Sequence, residues 1–251
     1  SLEPLQIEPL PSELEPMQAA LNRMLSQIQE VLGRERRFIA DAAHEMRTPL
    51  AVLRVHAQNL LEAGTEAEKR ESLEYLIVGV DRTSRLVNQL LTMARLEPQS
   101  IAPPLQTVDL TATVREGLVQ LTPWLLSKGL ELTFDVSDVP YITHTDPVAI
   151  NIALNNLVTN AANFSPEHGL ITVRLTKING HFQLAVEDQG PGINEAERER
   201  LFERFYSRGN DQGAGLGLTI VQTIAVRLKG RIHLDNLPDG GLCATLELPV
   251  N

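Results

Sequence analysis

The sequence predicts an α+β chain, a long helical hairpin able to pair into a dimeric four-helix bundle and then an α/β sandwich. Three patterns predict it. Apolar residues recur at Leu14, Met17, Leu21, Met24, Ile28 and Val31, alternately three and four apart, which is heptad spacing over about three repeats. A second helical face is built from Leu73, Leu76, Ile77, Val80, Leu86, Val87, Leu90, Leu91 and Ala94. From Thr107 onward the texture changes to short alternating runs with helical patterns between them, as expected of a sheet with helices on one face. A chain of 251 residues, 43% of them apolar, has room for two such domains.

Taken in order, a Pro-rich entry (Pro4, Pro9, Pro11, Pro16) leads into the first helix, whose pattern runs on towards Leu61 and is broken at Gly64-Thr65. A helix of that length cannot bury its stripe on a small core alone. Doubled by a partner, the hairpin closes a four-helix bundle, so a homodimer is expected. The second helix ends near Pro98, and Pro98 to Pro104 reads as a linker. Strands are expected at 130–136, 171–176, 181–186, 231–234 and 244–248, and helices at 111–126, 147–162 and 216–228.

The net charge of −10, without any Lys/Arg block interleaved with aromatics, argues against a nucleic-acid surface. The single cysteine, Cys243, cannot form an internal disulfide and sits in an apolar strand-like run, which fits a reducing compartment. No stretch approaches the ~18 apolar residues that span a bilayer, and no signal peptide opens the chain, so this segment is expected to be soluble.

The densest chemistry lies between Phe38 and Leu50, where His44, Glu45, Arg47 and Thr48 set a nucleophile, a carboxylate, a cation and a hydroxyl within about one helical turn. His44 and Thr48, four apart, share a face, with Glu45 beside them. A lone histidine on an amphipathic helix is most often packed or solvated. Pro49 shifts that balance: inside a helix it lacks an N–H and crowds the carbonyl of Glu45, and otherwise it starts a new helix. Both readings put irregular backbone next to His44, and the cluster reads as a phosphate-handling site.

Three further patterns suit a nucleotide. The helix at 147–162 and its end carry Asn155, Asn156, Asn160 and Asn163 among Ile152, Leu154, Leu157 and Val158. Buried amides need partners; a carbonyl oxygen suits Mg²⁺ and an amide suits phosphate oxygens. Asp188-Gln-Gly190-Pro-Gly192 falls where a strand ends, so the glycines can turn the chain while the carboxylate accepts from an exocyclic amine such as adenine offers; an ordinary turn would use the same residues. Gly213-Ala-Gly215-Leu216-Gly217-Leu218 opens a helix whose free N–H groups suit phosphate. Its spacing fits neither a dinucleotide fingerprint nor a P-loop. The charged stretch Asn194 to Gln212 reads as a lid, from which Arg204 or Arg208 could reach phosphate.

These pieces, in this order, resemble the sensor histidine kinases of bacterial two-component systems over almost the whole chain. Phe38 to Leu50 looks like their H box, Asn156 to Asn160 the N box, Asp188 to Gly192 the G1 box, Phe202 to Phe205 the F box and Gly213 to Leu218 the G2 box. Ser12 to Val31 resembles the second helix of a HAMP signal-relay module, and the wording around Glu35 to His44 is similar to the QseC and PmrB branch. The resemblance implies a Bergerat (GHKL) ATP-binding fold and four parts: 1–33 partial HAMP helix, 34–97 dimerisation and phosphotransfer hairpin, 98–106 linker, 107–251 catalytic domain. It also implies an ATP:protein-histidine phosphotransferase that uses ATP and Mg²⁺. His44 would be the phosphoacceptor, Glu45 the group that hydrogen-bonds and deprotonates it, and Thr48 the residue orienting water for dephosphorylating the partner. Asn160 would hold Mg²⁺, Asn156 would serve the phosphates and Asp188 would read adenine. Asn163, Gly190, Gly192, Phe205, Arg208, Gly213, Gly215, Leu216, Gly217 and Leu218 complete the implied nucleotide site. The implied partner is a response regulator receiver domain, read by residues around Ala51, Val55 and His56, and the implied setting is the cytoplasmic side of the inner membrane, with anchoring segments outside this chain. Two positions depart from the family pattern, Asn163 in place of a common Lys or Arg and Ser207 in place of Arg. They leave open a nucleotide-gated binding module that transfers no phosphate. A third reading, an ATPase of the chaperone or mismatch-repair type, leaves the His-bearing hairpin unexplained.

Overall fold

The computed structural model describes Leu5, Pro11 and residues 14–96, 105–137, 139–206 and 215–250, without the Arg34 side chain. It divides into two units, 1–83 and 84–251.

In the first unit, α1 (Glu15–Glu62) is one continuous helix of 48 residues that carries Pro49 inside it. Of the two readings of Pro49, the unbroken helix is the one adopted. At its start the backbone of Leu5 is clamped against the helix: Asn22 accepts from the Leu5 N–H at 2.7 Å and, like Gln18, donates to its carbonyl. The helix stops at Ala63, whose extended backbone turns the chain, and α2 (Glu66–Leu96) follows, its residues from Ser84 onward belonging to the second unit. Thr65 and Glu68 form a capping box: the Thr65 hydroxyl accepts from the Glu68 N–H, while the Glu68 carboxylate accepts from the N–H groups of Thr65 and Gly64. The hairpin closes where His56 of α1 stacks on Tyr75 of α2, ring centroids 4.8 Å apart. One turn further along α2, Gly79 leaves room for Leu53; a Cβ there would meet Leu53 Cδ2 at 2.7 Å. A row of large apolar side chains stays exposed on the hairpin, including Met17, Met24, Ile39, Leu50, Ile77 and Val78.

In the second unit a five-stranded sheet runs in the order β2 (Glu131–Val136), β4 (Leu170–Ile178), β5 (His181–Glu187), β7 (Leu242–Pro249), β6 (Arg231–Asn236). Only the β2–β4 pair is parallel. Burial alternates strictly along β7 and along residues 170–176 of β4, as it must when one face is covered and the other is not. Val173, Val186, Ala244 and Leu234 lie in register across four strands on the buried face. Helices α3 (Leu110–Ser127), α4 (Pro147–Phe164) and α5 (Gly217–Arg227) supply the other half of the core, among them Leu118, Leu125, Leu154, Leu157, Ile220 and Ile224. Asp109 and Asp146 cap α3 and α4 by accepting from first-turn N–H groups.

All five expected strands and all three expected helices of this unit are present, with ends shifted by one or two residues at most positions. The sequence reading missed β1 (Gln106–Asp109) and β3 (Ile142–Thr145), which pair antiparallel as a separate two-stranded sheet. Each is four residues long, too short for a periodicity to register, and each is made a strand by a partner more than thirty residues away. Gln106, assigned to the connecting segment 98–106, therefore already belongs to a strand; residues 98–104 of that segment lie outside the described residues.

The capping box yields a test. Its backbone N–H partners, Thr65 foremost, hold the Glu68 carboxyl below its ordinary value, so its contribution to stability is present at neutral pH and is lost as pH falls through that lowered value. Thr65→Ala should cost about 1 kcal/mol. Glu68→Gln should lower the thermal midpoint of the helical signal at pH 7 and converge with the native chain in acid.

Candidate active site

Helix α4 sorts its residues onto two faces. Ala153, Leu154, Leu157, Val158, Ala161 and Ala162 are buried in the core, and at about 100° per residue that leaves Asn156, Thr159, Asn160, Asn163 and Phe164 as a stripe on the other side. Those five residues line a cavity. Asn155 does not: it is exposed, with its side-chain oxygen and its carbonyl both accepting from Thr159 Oγ1. Asn156 donates to the Ile152 carbonyl at 2.8 Å, which fixes its amide and leaves Oδ1 facing Gly217, where a Cβ would stand 3.4 Å away.

Asp188 enters the same cavity from the end of β5. It is 5% exposed. Its Oδ1 accepts from the N–H groups of Gly190 at 2.8 Å and Leu242 at 3.2 Å, and among the described residues no donor reaches Oδ2. Burial pushes this carboxyl above its ordinary value, and the two N–H bonds oppose that push. The turn after it is a close fit. A Cβ on Gly190 would meet the Phe164 carbonyl at 2.7 Å, and Gly192, at φ 69°, has Asn236 Oδ1 where its Cβ would be. Asn236 grips the turn by accepting from Ile193 N–H at 2.7 Å and donating to its carbonyl at 2.8 Å.

The third wall comes from Leu201, Tyr206, Gly215, Gly217 and Leu218. Gly217 is the first residue of α5, and the N-cap residue Leu216 makes no side-chain cap hydrogen bond; first-turn N–H groups of a helix have no intrahelical partners. Leu216 itself is fully buried, a packing residue and not part of the cavity wall. Phe205 is likewise absent from the wall; it holds a left-handed φ of 62° and donates its N–H to the Gly215 carbonyl. Arg208 and Gly213, with Ser207, lie outside the described residues.

Of the expected nucleotide residues, the cavity gathers Asn156, Asn160, Asn163, Asp188, Gly192, Gly215, Gly217 and Leu218. The sequence reading missed Gln89, Thr159, Phe164, Pro191, Ile193, Leu201, Tyr206 and Leu242 as lining residues. Thr159 and Phe164 were legible, because they continue the Asn156–Asn160 stripe at helical spacing. Leu242 and the supporting Asn236 were not, since they arrive through strand pairing some fifty residues away. On α1, His44, Arg47 and Thr48 are exposed and Glu45 is half-buried.

Residues 34–99 match the His Kinase A (phospho-acceptor) domain. Residues 145–251 match the histidine kinase-, DNA gyrase B- and HSP90-like ATPase domain. Together they define a chain that pairs a phospho-acceptor hairpin with an ATPase-type nucleotide fold. Sensor protein kinase PmrB of Pseudomonas aeruginosa is 33% identical over 252 residues, covering 99% of this chain and 52% of PmrB. The solved histidine kinase AdeS of Acinetobacter baumannii is 27% identical, covers 83% of this chain and 98% of its own, and superposes with a TM-score of 0.65. The mycobacterial sensor histidine kinase MprB is 32% identical over a solved chain that is 98% covered, with 59% of this chain and a TM-score of 0.53. The chain belongs to the sensor histidine kinases. It spans about half the length of the curated relatives it matches. Among the described residues no helix is long and apolar enough to cross a membrane.

Asp188 gives a separation of stability from site chemistry. An amide at this position keeps an acceptor for Gly190 and Leu242 and removes a buried charge, so Asp188→Asn should melt no lower than the native chain at pH 7. The native carboxylate's burial cost is present above its raised folded value and disappears as pH falls towards its unfolded value. Any advantage of the variant should therefore shrink on acidification, as measured by thermal melts from pH 7 to pH 4.

Proposed function

We propose that this chain is the cytoplasmic signalling part of a membrane-anchored sensor histidine kinase. In this reading it transfers the γ-phosphoryl group of ATP to His44 and then to an aspartate of a response regulator receiver domain. One observation carries the proposal: amides from α4, a buried carboxylate from the end of β5 and the uncapped start of α5 converge on one cavity.

The residues present fit the nucleotide. Asp188 Oδ2 is an acceptor for an exocyclic amine. The first-turn N–H groups of α5, with Asn156 beside Gly217, suit the phosphates. Among the described residues no group of three His, Cys, Asp or Glu side chains could hold a metal; Mg²⁺ commonly needs only one or two protein groups beside the substrate phosphates. Asn160, which lines the cavity, would supply such an oxygen through its side-chain carbonyl. Bound Mg²⁺ neutralises charge on the triphosphate.

At the acceptor, one imidazole nitrogen of His44 forms the N–P bond as the bond to the β-phosphate oxygen breaks and ADP leaves. Glu45 accepts the hydrogen bond from the other ring nitrogen and takes its proton, while Arg47 adds positive charge on the same turn. Catalysis then consists mainly of alignment and charge neutralisation. Thr48, one turn from His44 on the same face, orients water for the reverse task, dephosphorylation of the regulator. The exposed apolar row on the hairpin, Met17 to Val78, supports a homodimer closed as a four-helix bundle. The organisation proposed is 1–33 partial HAMP helix, 34–97 phosphotransfer hairpin, 98–106 linker and 107–251 catalytic domain, with the anchor in segments outside this chain.

Radiolabelled ATP should give an acid-labile, base-stable phosphoprotein. His44→Gln should abolish that label while ATP binding persists, and Asn160→Ala should abolish it through the nucleotide site. Tight ATP binding with no label on His44 under any condition would instead support a nucleotide-gated binding module. Thr48→Ala should slow dephosphorylation of the cognate regulator by about tenfold or more and leave autophosphorylation near its native rate.

A further inference from the structure

We propose that Arg200, which stands outside the cavity wall, is a positioning residue for the nucleotide and acts through Tyr206; this rests on the nucleotide-binding reading above. Tyr206 is half-buried and lines the cavity. Arg200 lies over its ring, with the guanidinium carbon 4.4 Å from the centroid, the shortest cation–ring approach among the described residues. The guanidinium thus backs a ring that forms part of the nucleotide wall.

The backbone around this pair is fixed from several sides. Phe205 sits at φ 62°, a region costly for a residue with a Cβ, and is kept there by its N–H bond to the Gly215 carbonyl at 3.0 Å. Gly215, at φ 66°, lets the two strands of the loop touch: a Cβ there would lie 2.6 Å from the Phe205 carbonyl carbon and 2.7 Å from the backbone N and O of Tyr206. Buried Thr219, in the first turn of α5, donates its hydroxyl to the Phe202 carbonyl at 3.0 Å. These contacts fix where the Tyr206 backbone is, and the Arg200 guanidinium lies on the ring itself. Tyr206 shares the cavity wall with Gly215 and with Gly217, the first residue of α5.

The expected signature is a loss of affinity without a loss of chemistry. A partly exposed cation–ring contact is worth enough that Arg200→Ala should raise the KM for ATP, and the Kd for ATP in competition with a fluorescent nucleotide, by about twofold to fivefold. The kcat of autophosphorylation should stay near native. Arg200→Lys should restore most of the affinity, whereas Arg200→Met, which keeps the stem and removes the charge, should not. In a Tyr206→Leu background, Arg200→Ala should add no further loss. Native affinity in Arg200→Ala, equal affinities for the Lys and Met variants, or additive losses in the double variant would each overturn the inference. Should the Ala variant fail to fold, the Lys against Met comparison decides it. If the native chain itself binds no ATP, the nucleotide-binding reading fails and the inference with it; native binding with an indifferent Arg200 sinks the inference alone.

Discussion

The constraint on which the catalytic unit depends is the burial of one face of α4. Ala153, Leu154 and Val158 have no exposed surface at all, so the helix cannot rotate about its axis without withdrawing apolar area from the core or driving amides into it. Either change is expensive compared with the margin by which a domain is stable. The helical period then aims Asn156, Asn160 and Asn163 into the cavity. The cavity-facing residues are thus positioned by packing on the opposite side of their own helix, and asparagine, a mediocre helix former, is tolerated because propensity is a minor term beside that packing.

Close approach of backbones does the rest of the assembly. The end of β5, the start of β7 and the turn after Asp188 meet through Asp188, whose single carboxylate oxygen serves the N–H groups of Gly190 and Leu242. Asn236 makes a similar two-ended grip on Ile193. The Asp188 device adds to a backbone bond, since the Asp188 N–H donates to the Leu242 carbonyl at 3.0 Å. The glycines at 190, 192 and 215 share one physical cause: each has a carbonyl, an amide oxygen or neighbouring backbone atoms where a Cβ would go.

The hairpin follows a different logic. α1 runs through Pro49 without a break, which leaves one missing N–H in a ladder of otherwise complete bonds just after His44, Glu45, Arg47 and Thr48. Irregularity at that point is local, since the helix on either side is held by its own hydrogen bonds. The apolar residues left exposed along α1 and α2 are too many and too regular for an isolated surface. They are consistent with the helical spacing seen in the sequence.

Much of this was legible in the chain by itself. Periodicity located the two long helices, the three shorter ones and the five sheet strands, because burial on one face imposes a 3.6 or a 2.0 repeat that any sufficiently long element must display. Turn chemistry located the Asp188 loop and the entry to α5, because glycine and an N-terminal helix end have few substitutes. What the sequence could not contain was any feature whose cause is a partner distant along the chain. The short strands β1 and β3 exist only because they pair with each other. Leu242, Asn236 and Tyr206 acquire their places from strand register and loop packing. Leu216, which shares a motif with cavity residues, is turned into the core by the first turn of α5. Local pattern determined which residues can do the chemistry, and tertiary contact decided which of them face it, since side-chain direction within an irregular segment is set by what that segment is packed against.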